Sequence, residues 1–398
     1  MTALSLAEMT TEACSPGGAS VLTIVTELAP AAGSHGGVAP ARYVSGTQGT
    51  YAFETRFIED SAQDVVLIDS KGSQLNRCEA AIVQAIRDGH PQLSRTPRIV
   101  VHYPSGSYTS LELPHRFTDG HVRAGTVDGK PVTENAVYRA ARDATPLDAT
   151  ALLELDPFSL VGGAWDSTRA SHQARYRSAV VGEIIGVLAD QSDTGRQIPR
   201  RGGARVDQIA PSVRLKASDL EALLSAQEAE LSGSNVASIR TAIAKAKGGT
   251  ISAAALGLGS IPPSLSGLGL VACKRIIRSQ VLSFSALRQL RFGGPTQRDV
   301  AARALLAALA LSGLAHANQE LALRANCDLI ETAPPACTLD LRQGRTRALE
   351  PLTAEEADEL LEGAIQQATA LGFRWEGQEF HVQGNPLVSA GATADEES

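Results

Sequence analysis

The order of apolar and polar positions along the chain predicts strands that alternate with amphipathic helices. The segment AQDVVLID ends in an apolar run, which is typical of a buried strand. After it the period changes, and Leu75, Cys78, Ile82 and Ile86 fall on one stripe of a helix. A second buried strand is predicted at RIVVHYP.

The rest of the chain predicts further helices and one more long strand. Residues 218–248 favour a helix with Ser218 as a possible cap, and residues 251–284 favour a hairpin or loop that enters a strand. TQRDVAARALLAALALSGLA predicts a buried helix, because its apolar run is too short to cross a membrane. A last helix is predicted after Thr353, which forms a capping-box pattern with Glu356.

Composition narrows the class of protein. The chain has 398 residues, of which 43% are hydrophobic and 20% charged, values typical of a soluble globular protein with one large or two ordinary domains. The five cysteines form no CxxC pair, which disfavours a disulfide framework or a zinc site and favours a reducing cytoplasm. The N-terminus lacks the basic region of a signal peptide, so we expect a cytoplasmic protein without membrane contact.

The charge is unevenly distributed. The formal net charge is −7, yet no Asp or Glu lies between Glu230 and Asp299, while Arg374 is the only Lys or Arg after Glu350. This asymmetry suggests a face for a polyanion and head-to-tail contact between copies, or else two ordinary solvated surfaces.

A polar stretch marks the junction between the first buried strand and its helix. A helix N-terminus has unsatisfied N–H groups and partial positive charge, so it can bind a phosphate. The alternative is simple capping by Ser73 with exposed polar neighbours. The side chains that would contribute are Lys71, Ser73, Gln74, Asn76 and Arg77.

Two later loops also contain candidate chemistry. The loop PHRFTDGHVR could face RNA through Arg116 or supply a catalytic Asp119, or it could simply hold an Arg116–Asp119 pair. In PFSLVGGAWDSTR, Trp165 is expected in the core, whereas Arg169 and its neighbours could line a polar groove.

Common enzyme signatures are missing from the sequence. It contains no P-loop, no GxSxG elbow, no HExxH spacing and no GxGxxG motif. We therefore expect no catalytic residue, no metal and no cofactor. Aromatic residues make up only 4% of the chain, so a nucleic-acid partner would be held by its backbone and not read by base stacking.

Six segments in this order resemble the CRISPR-associated RAMP backbone subunit of type I-G (formerly I-U) Cascade, the Cas-seven family. They are VLIDSKGSQLNRCEAAI, SLELPHRFTDGHVR, PFSLVGGAWDSTR, YRSAVVGEIIGV, LGLGSIPPS and VLSFSALRQLRF. The resemblance implies an α+β fold with a ferredoxin-like (RNA-recognition-motif-like) palm and long insertions, one of which is a thumb. Residues 262–269 and the Arg116 loop are both candidates for the thumb.

The implied organisation has four parts. Residues 1–60 form an irregular segment with a short strand, and residues 61–350 form the palm with its insertions. Residues 351–385 form an acidic helix and extension, and residues 386–398 form a disordered tail.

The resemblance also implies a function without catalysis. Several copies would polymerise along one CRISPR RNA, beside other Cascade subunits, and would support pairing of the guide with a target DNA strand. The alternatives are a type III-like endoribonuclease that uses Asp119, and an assembly protein without RNA. The residues expected to bind RNA are Lys71, Ser73, Gln74, Asn76, Arg77, Arg116, Arg169, Arg200, Arg201, Arg205, Lys274, Arg275 and Arg278.

Overall fold

The computed structural model describes residues 2–45, 48–169, 175–196, 200–203, 212–246, 248–259, 264–323, 325 and 327–390. It divides the chain into two compact units. The first comprises Met1–Gln197 and Val271–Ser398, and the second comprises Ile198–Leu270. Helices and antiparallel sheets are mixed along the chain.

The first unit is organised around one sheet, in which the described residues contribute eight strands. Its order is β8-β7-β1-β5-β4-β3-β2, β6 also pairs with β1, and each neighbouring pair is antiparallel. The strands are β1 (Val21–Pro30), β2 (Phe53–Ile58), β3 (Ser61–Asp69), β4 (Val180–Leu188), β5 (Cys273–Ser283), β6 (Leu329–Glu331), β7 (Ala336–Asp340) and β8 (Thr346–Leu349).

Three long helices pack together with this sheet: α1 (Lys71–Arg87), α2 (Thr296–Glu320) and α3 (Ala354–Ala370). Helix α1 contacts β4, and α2 contacts both α1 and α3. Burial of each large apolar side chain in this layer stabilises the fold by about 1.5–3 kcal/mol.

Helix α2 confirms the predicted buried helix. By length and composition it could cross a membrane, but 78% of its most apolar window is buried inside the protein. Gly313 is the reason for its close contact with α1, because a Cβ there would lie 2.6 Å from Cys78 Sγ. The glycine that interrupts the apolar run therefore marks a contact between two helices.

A second sheet is built around the predicted strand Arg98–Tyr103. Glu379–Gln383 pairs with it in parallel, and Gly106–Thr109 pairs with it as a hairpin. The short strands Thr126–Val127 and Lys130–Pro131 extend this sheet. The parallel strand was not predicted, because its partner lies almost at the other end of the sequence.

Smaller elements complete the first unit. A two-stranded ladder joins Ala164–Trp165 to Arg175–Tyr176, and Tyr43–Ser45 pairs with Gln48–Thr50. The short α-helices are Leu6–Glu8, Gly120–Arg123, Ala136–Arg142, Thr150–Leu155, Phe158–Gly162, Phe284–Leu287 and Pro386–Ala390.

The second unit has its own small core. Helices Ala217–Gln227 and Gly233–Lys245 lie between the strands of a hairpin, Arg214–Lys216 and Thr250–Ser252. The buried residues of this core are Leu220, Leu224, Val236, Ile239 and Ala253. The predicted helix over residues 218–248 is thus two helices, and the first begins at Ala217 after Lys216, so Ser218 is not its cap. Arg200–Gly203 pairs with Ser264–Leu268.

The two ends of the chain differ from the prediction. The strand expected within residues 1–60 is ten residues long, and it lies inside the sheet between β5 and β7. The capping box of α3 is confirmed, since Thr353 and Glu356 exchange hydrogen bonds of 2.9 and 3.2 Å. Pro386–Ala390 is helical and not disordered, and residues 391–398 lie outside the described part of the chain.

Candidate nucleic-acid interface

The predicted polar junction coincides with the start of α1. Ser70, and not Ser73, is the cap of this helix, since its side chain accepts a hydrogen bond of 3.3 Å from the Ser73 N–H. Lys71 and Asn76 are exposed and Arg77 is half-buried. A Cβ at Gly72 would meet no atom within 4 Å, so the helix start is open. An anion can therefore approach this end of α1 from outside.

Gln74 does not belong to that exposed surface. It is only 6% exposed, and its Nε2 donates to Asp69 Oδ2 at 2.6 Å. Asp69 is fully buried at the end of β3. The amide satisfies a buried carboxylate and joins the strand to the helix, so the predicted RNA contact by Gln74 would require this hydrogen bond to open.

Ser73 and Arg77 are also drawn toward the protein. Ser73 Oγ is buried and has no hydrogen-bond partner among the described residues. Among the described residues, Arg77 makes only long contacts of 3.4 Å, to the carbonyl oxygens of Ser73 and Ala322. Its guanidinium borders a recess of about 10 Å³ beside the Gln280–Asn318 amide pair. That space suits one water molecule and no nucleotide, so RNA would have to run across the outside of Arg77.

Arg116 is a structural residue in this arrangement. Its Nε donates to Glu79 Oε1 at 2.7 Å and its Nη1 donates to the Gly163 carbonyl oxygen at 2.9 Å. Glu79 is 4% exposed, and burial raises its pKa to about 7 although Arg116 opposes the shift. The charge of Arg116 is engaged by a buried carboxylate, so the structure gives no support to an RNA contact by this residue, which stays a prediction.

The local Arg116–Asp119 pair is not formed. Asp119 is 3% exposed and caps the helix Gly120–Arg123, accepting from the N–H groups of His121 at 2.8 Å and His115 at 3.1 Å. Both carboxylate oxygens of Asp119 are thus occupied by the backbone of its own loop.

The basic residues of β5 do not share a surface. Arg275 is paired with Glu27 and with Glu59, and Lys274 donates to Gln63 at 2.9 Å. Arg278 lies on the face of β5 opposite to that of Arg275. Carboxylates from distant segments neutralise the arginines of this strand, so the structure gives no support to the expected basic RNA-binding strand, which stays a prediction.

Arg278 is fully buried and bonds Glu331 and Thr26, and burial lowers its pKa. Its predicted contact with RNA would require this buried side chain to become exposed. Arg169 lies on another loop, where its Nη2 bonds Asp143 at 3.0 Å, so its charge is shared with a carboxylate. The side chains of Arg200 and Arg201, and all of Arg205, lie outside the described part of the chain.

The structure brings together a groove that sequence reasoning missed. Trp165 is 54% exposed and not in the core, and the guanidinium carbon of Arg175 lies 5.0 Å from its ring centroid. The ladder that pairs Trp165 with Arg175 fixes this stacking. Arg177 is also exposed, and neither arginine forms an ion pair with a carboxylate in the described parts of the chain.

The groove has a volume of about 860 Å³, with His115 and Arg116 on one side and Arg175 to Ser178 on the other. Tyr176, between the two arginines in sequence, is buried; its hydroxyl has no partner among the described residues, and burial raises its pKa to about 12. Gly163 closes the floor at φ 83°, where a Cβ would lie 2.8 Å from the Ser178 nitrogen. The site thus offers an aromatic face and two cations.

Arg116 connects the groove to α1. Arg116 lines the groove and bonds Glu79, which lies eight residues after Lys71 on α1. At about 1.5 Å per residue, this contact lies about 12 Å from the start of the helix. A polyanion that passes the start of α1 has a second cationic site within reach. No sequence motif indicates this groove, because it is assembled from segments that precede and follow residues 170–174.

The comparison with protein families gives one match. Residues 22–191 match the family described as CRISPR-associated protein GSU0053. The matched segment is less than half of the chain, and it includes the start of α1 and all residues named for the groove. No curated protein matches this chain. The family match supports a role for this protein in CRISPR defence.

Proposed function

We propose that this protein is a non-catalytic backbone subunit that binds CRISPR RNA in a type I-G Cascade of the Cas-seven family. Copies of the chain would polymerise along the guide in the cytoplasm, beside other Cascade subunits. Base pairing between the guide and a target DNA strand would supply sequence specificity. The observation that carries the proposal is the open, cationic start of α1, which lies inside the segment matched to a CRISPR-associated family.

The connectivity of the first unit supports a ferredoxin-like palm. In chain order, β1 is followed by α1, β4, β5, α2 and β7. The four strands lie side by side as β7-β1-β5-β4, all antiparallel. This is the order of a βαββαβ fold, to which the β2–β3 hairpin adds an edge. The second unit, Ile198–Leu270, is inserted between β4 and β5, and we propose that it is the thumb.

The contacts with RNA would be made to the backbone. Lys71 and Arg77 would neutralise phosphates, Asn76 would donate to phosphate or ribose oxygens, and Arg175 and Arg177 would continue the cationic path. Such contacts carry no base information, which suits a guide of arbitrary sequence. Trp165 would offer a stacking face that tolerates any base.

Asp119 gives little support to an endoribonuclease. Asp119 is 3% exposed, and both of its oxygens accept hydrogen bonds from backbone N–H groups of its own loop, so the carboxylate has a structural role and little access to a metal ion or water. Incubation of the assembled complex with complementary RNA and Mg²⁺ tests this part of the proposal. We expect no cleavage; periodic cuts that disappear in Asp119→Ala would contradict it.

The RNA-binding part is tested by charge reversal at the start of α1. We expect K71E/R77E to lower the affinity for CRISPR RNA at least tenfold. The slope of log K against log salt should become shallower by about 1.4, because each lost phosphate contact on a single strand contributes about 0.7.

The control is K130E/R139E, which changes the net charge equally at two exposed cations. It should leave the slope within error of the wild type. Equal losses in the two double variants would show that only overall charge matters, and co-purification of no RNA with the wild type would favour an assembly protein without RNA.

A further inference from the structure

Two histidines and one aspartate from separate parts of the first unit meet at one point. His90 follows the end of α1, His316 lies near the end of α2, and Asp358 lies on α3. Their ligand atoms all lie within 4.8 Å of one another. The Nε2 atoms of His316 and His90 lie 2.9 and 3.1 Å from Asp358 Oδ2.

Each of these side chains is held in place by its neighbours. Helix α1 ends in a left-handed Gly89 with φ 73°, and the His90 N–H then donates to the Ala85 carbonyl oxygen at 2.8 Å. One turn before His316, Ser312 donates from Oγ to Asp358 Oδ1 at 2.6 Å. This bond orients the carboxylate, as outer partners of metal ligands do.

The cluster lacks a permanent positive charge. Asp358 is 7% exposed, and among the described residues its ion-pair partners are the two histidines alone. Glu355, on the same helix, also interacts electrostatically with His316. Asp358 and Glu355 place two carboxylates beside the two imidazole rings in a mostly buried position, and a bound cation would offset their charge.

We propose that His90, His316 and Asp358 bind one Zn²⁺ ion. With ligand bonds of 2.0–2.1 Å, a tetrahedral site places its ligand atoms about 3.3 Å apart, close to the 2.9 and 3.1 Å separations found here. Imidazole nitrogen with carboxylate oxygen is a donor set for zinc and other transition metals, whereas Mg²⁺ and Ca²⁺ prefer oxygen alone. Three protein ligands leave the fourth position to water.

The ion would connect α2 and α3 with the segment that follows α1. Its ligands are far apart in sequence, so the unfolded chain has no preformed site and binding stabilises the folded state. Because the three ligands are so widely separated along the sequence, they form no recognisable metal-binding motif. The inference does not depend on the proposed RNA-binding function.

The experiment uses the full chain, freed of metal by a chelator, and Zn²⁺ alone as the probe. We expect one zinc per chain by elemental analysis, a higher melting temperature with zinc, and a tetrahedral absorption spectrum with Co²⁺. H316A should weaken zinc binding at least tenfold. D358N keeps the size of the aspartate and one acceptor oxygen for Ser312 but removes the charge, so it tests the site even if H316A does not fold.

The matched control is H381A. His381 and His102 are adjacent at the surface, with ring nitrogens 3.0 Å apart, and this pair should not contribute to zinc binding. Zinc bound well below one per chain, no tetrahedral cobalt spectrum, or equal affinity in H316A and the wild type would overturn the assignment and leave a hydrogen-bonded cluster only.

Discussion

The buried pair of Glu79 and Arg116 provides a sharp test, because one substitution should have effects that depend on pH. Arg116 connects α1 to Gly163 at the floor of the groove. The change Arg116→Met removes the charge and keeps much of the aliphatic volume. Glu79 is then left buried without its cation.

The magnitude follows from the pKa of Glu79. Burial raises it from 4.5 to about 7 in the folded protein even with Arg116 present, and a shift of about 2.5 units corresponds to roughly 3 kcal/mol. Folding therefore takes up a proton between pH 4.5 and 7, and the free energy of unfolding falls as the pH rises through this window. Loss of Arg116 raises this pKa further and extends the window upward.

Urea denaturation at pH 8 and at pH 5.5 measures the effect. At pH 8, Arg116→Met should lower the free energy of unfolding by about 3–5 kcal/mol, the usual cost of breaking a buried ion pair. At pH 5.5 the loss should be about half as large or less, because Glu79 is protonated in the folded variant.

The control is Arg87→Met: Arg87 lies on the same helix as Glu79 and forms an ion pair with Glu112. Arg87 is 59% exposed in its side chain, so this change should cost less than about 1 kcal/mol at both pH values. The reasoning is refuted if Arg116→Met costs no more than Arg87→Met, or if its cost is the same at pH 8 and pH 5.5.

Two further predictions concern the candidate interface. Trp165→Ala should weaken RNA binding about 5- to 150-fold through lost stacking, measured by fluorescence anisotropy, with Trp165→Phe retaining most of the affinity; equal loss in both variants would argue against stacking. Gln74→Ala should lower the free energy of unfolding by about 1–3 kcal/mol, because Asp69 loses its buried donor. The folded variant should bind RNA like the wild type, and a selective loss of RNA affinity without loss of stability would contradict the supporting role of Gln74.

Local patterns predicted the elements of this fold well. The apolar run before Asp69, the helical stripe after it and the capping box of α3 each depend on neighbours within a few residues, so the sequence displays them directly. The cap of α1 is Ser70, three residues before the predicted Ser73. Both serines are acceptable caps, and only the path of β3 decides between them.

Charge and burial depended on contacts that the sequence does not display. The basic character of β5 disappears once Arg275 meets Glu27 and Arg278 meets Glu331. Gln74 was predicted to be exposed because the sequence does not show its hydrogen bond to Asp69, which forms only when β3 and α1 pack together. The exposure of Trp165 follows from the ladder that presents it to solvent.

The most direct test of the central claim is to map where the chain touches RNA. The assembled complex, with its CRISPR RNA, is irradiated with ultraviolet light and its cross-linked peptides are identified by mass spectrometry. Our account predicts cross-links in the peptides that contain Lys71 to Arg77 and Trp165. Cross-links confined to other peptides, with both of these regions protected by protein contacts alone, would contradict it.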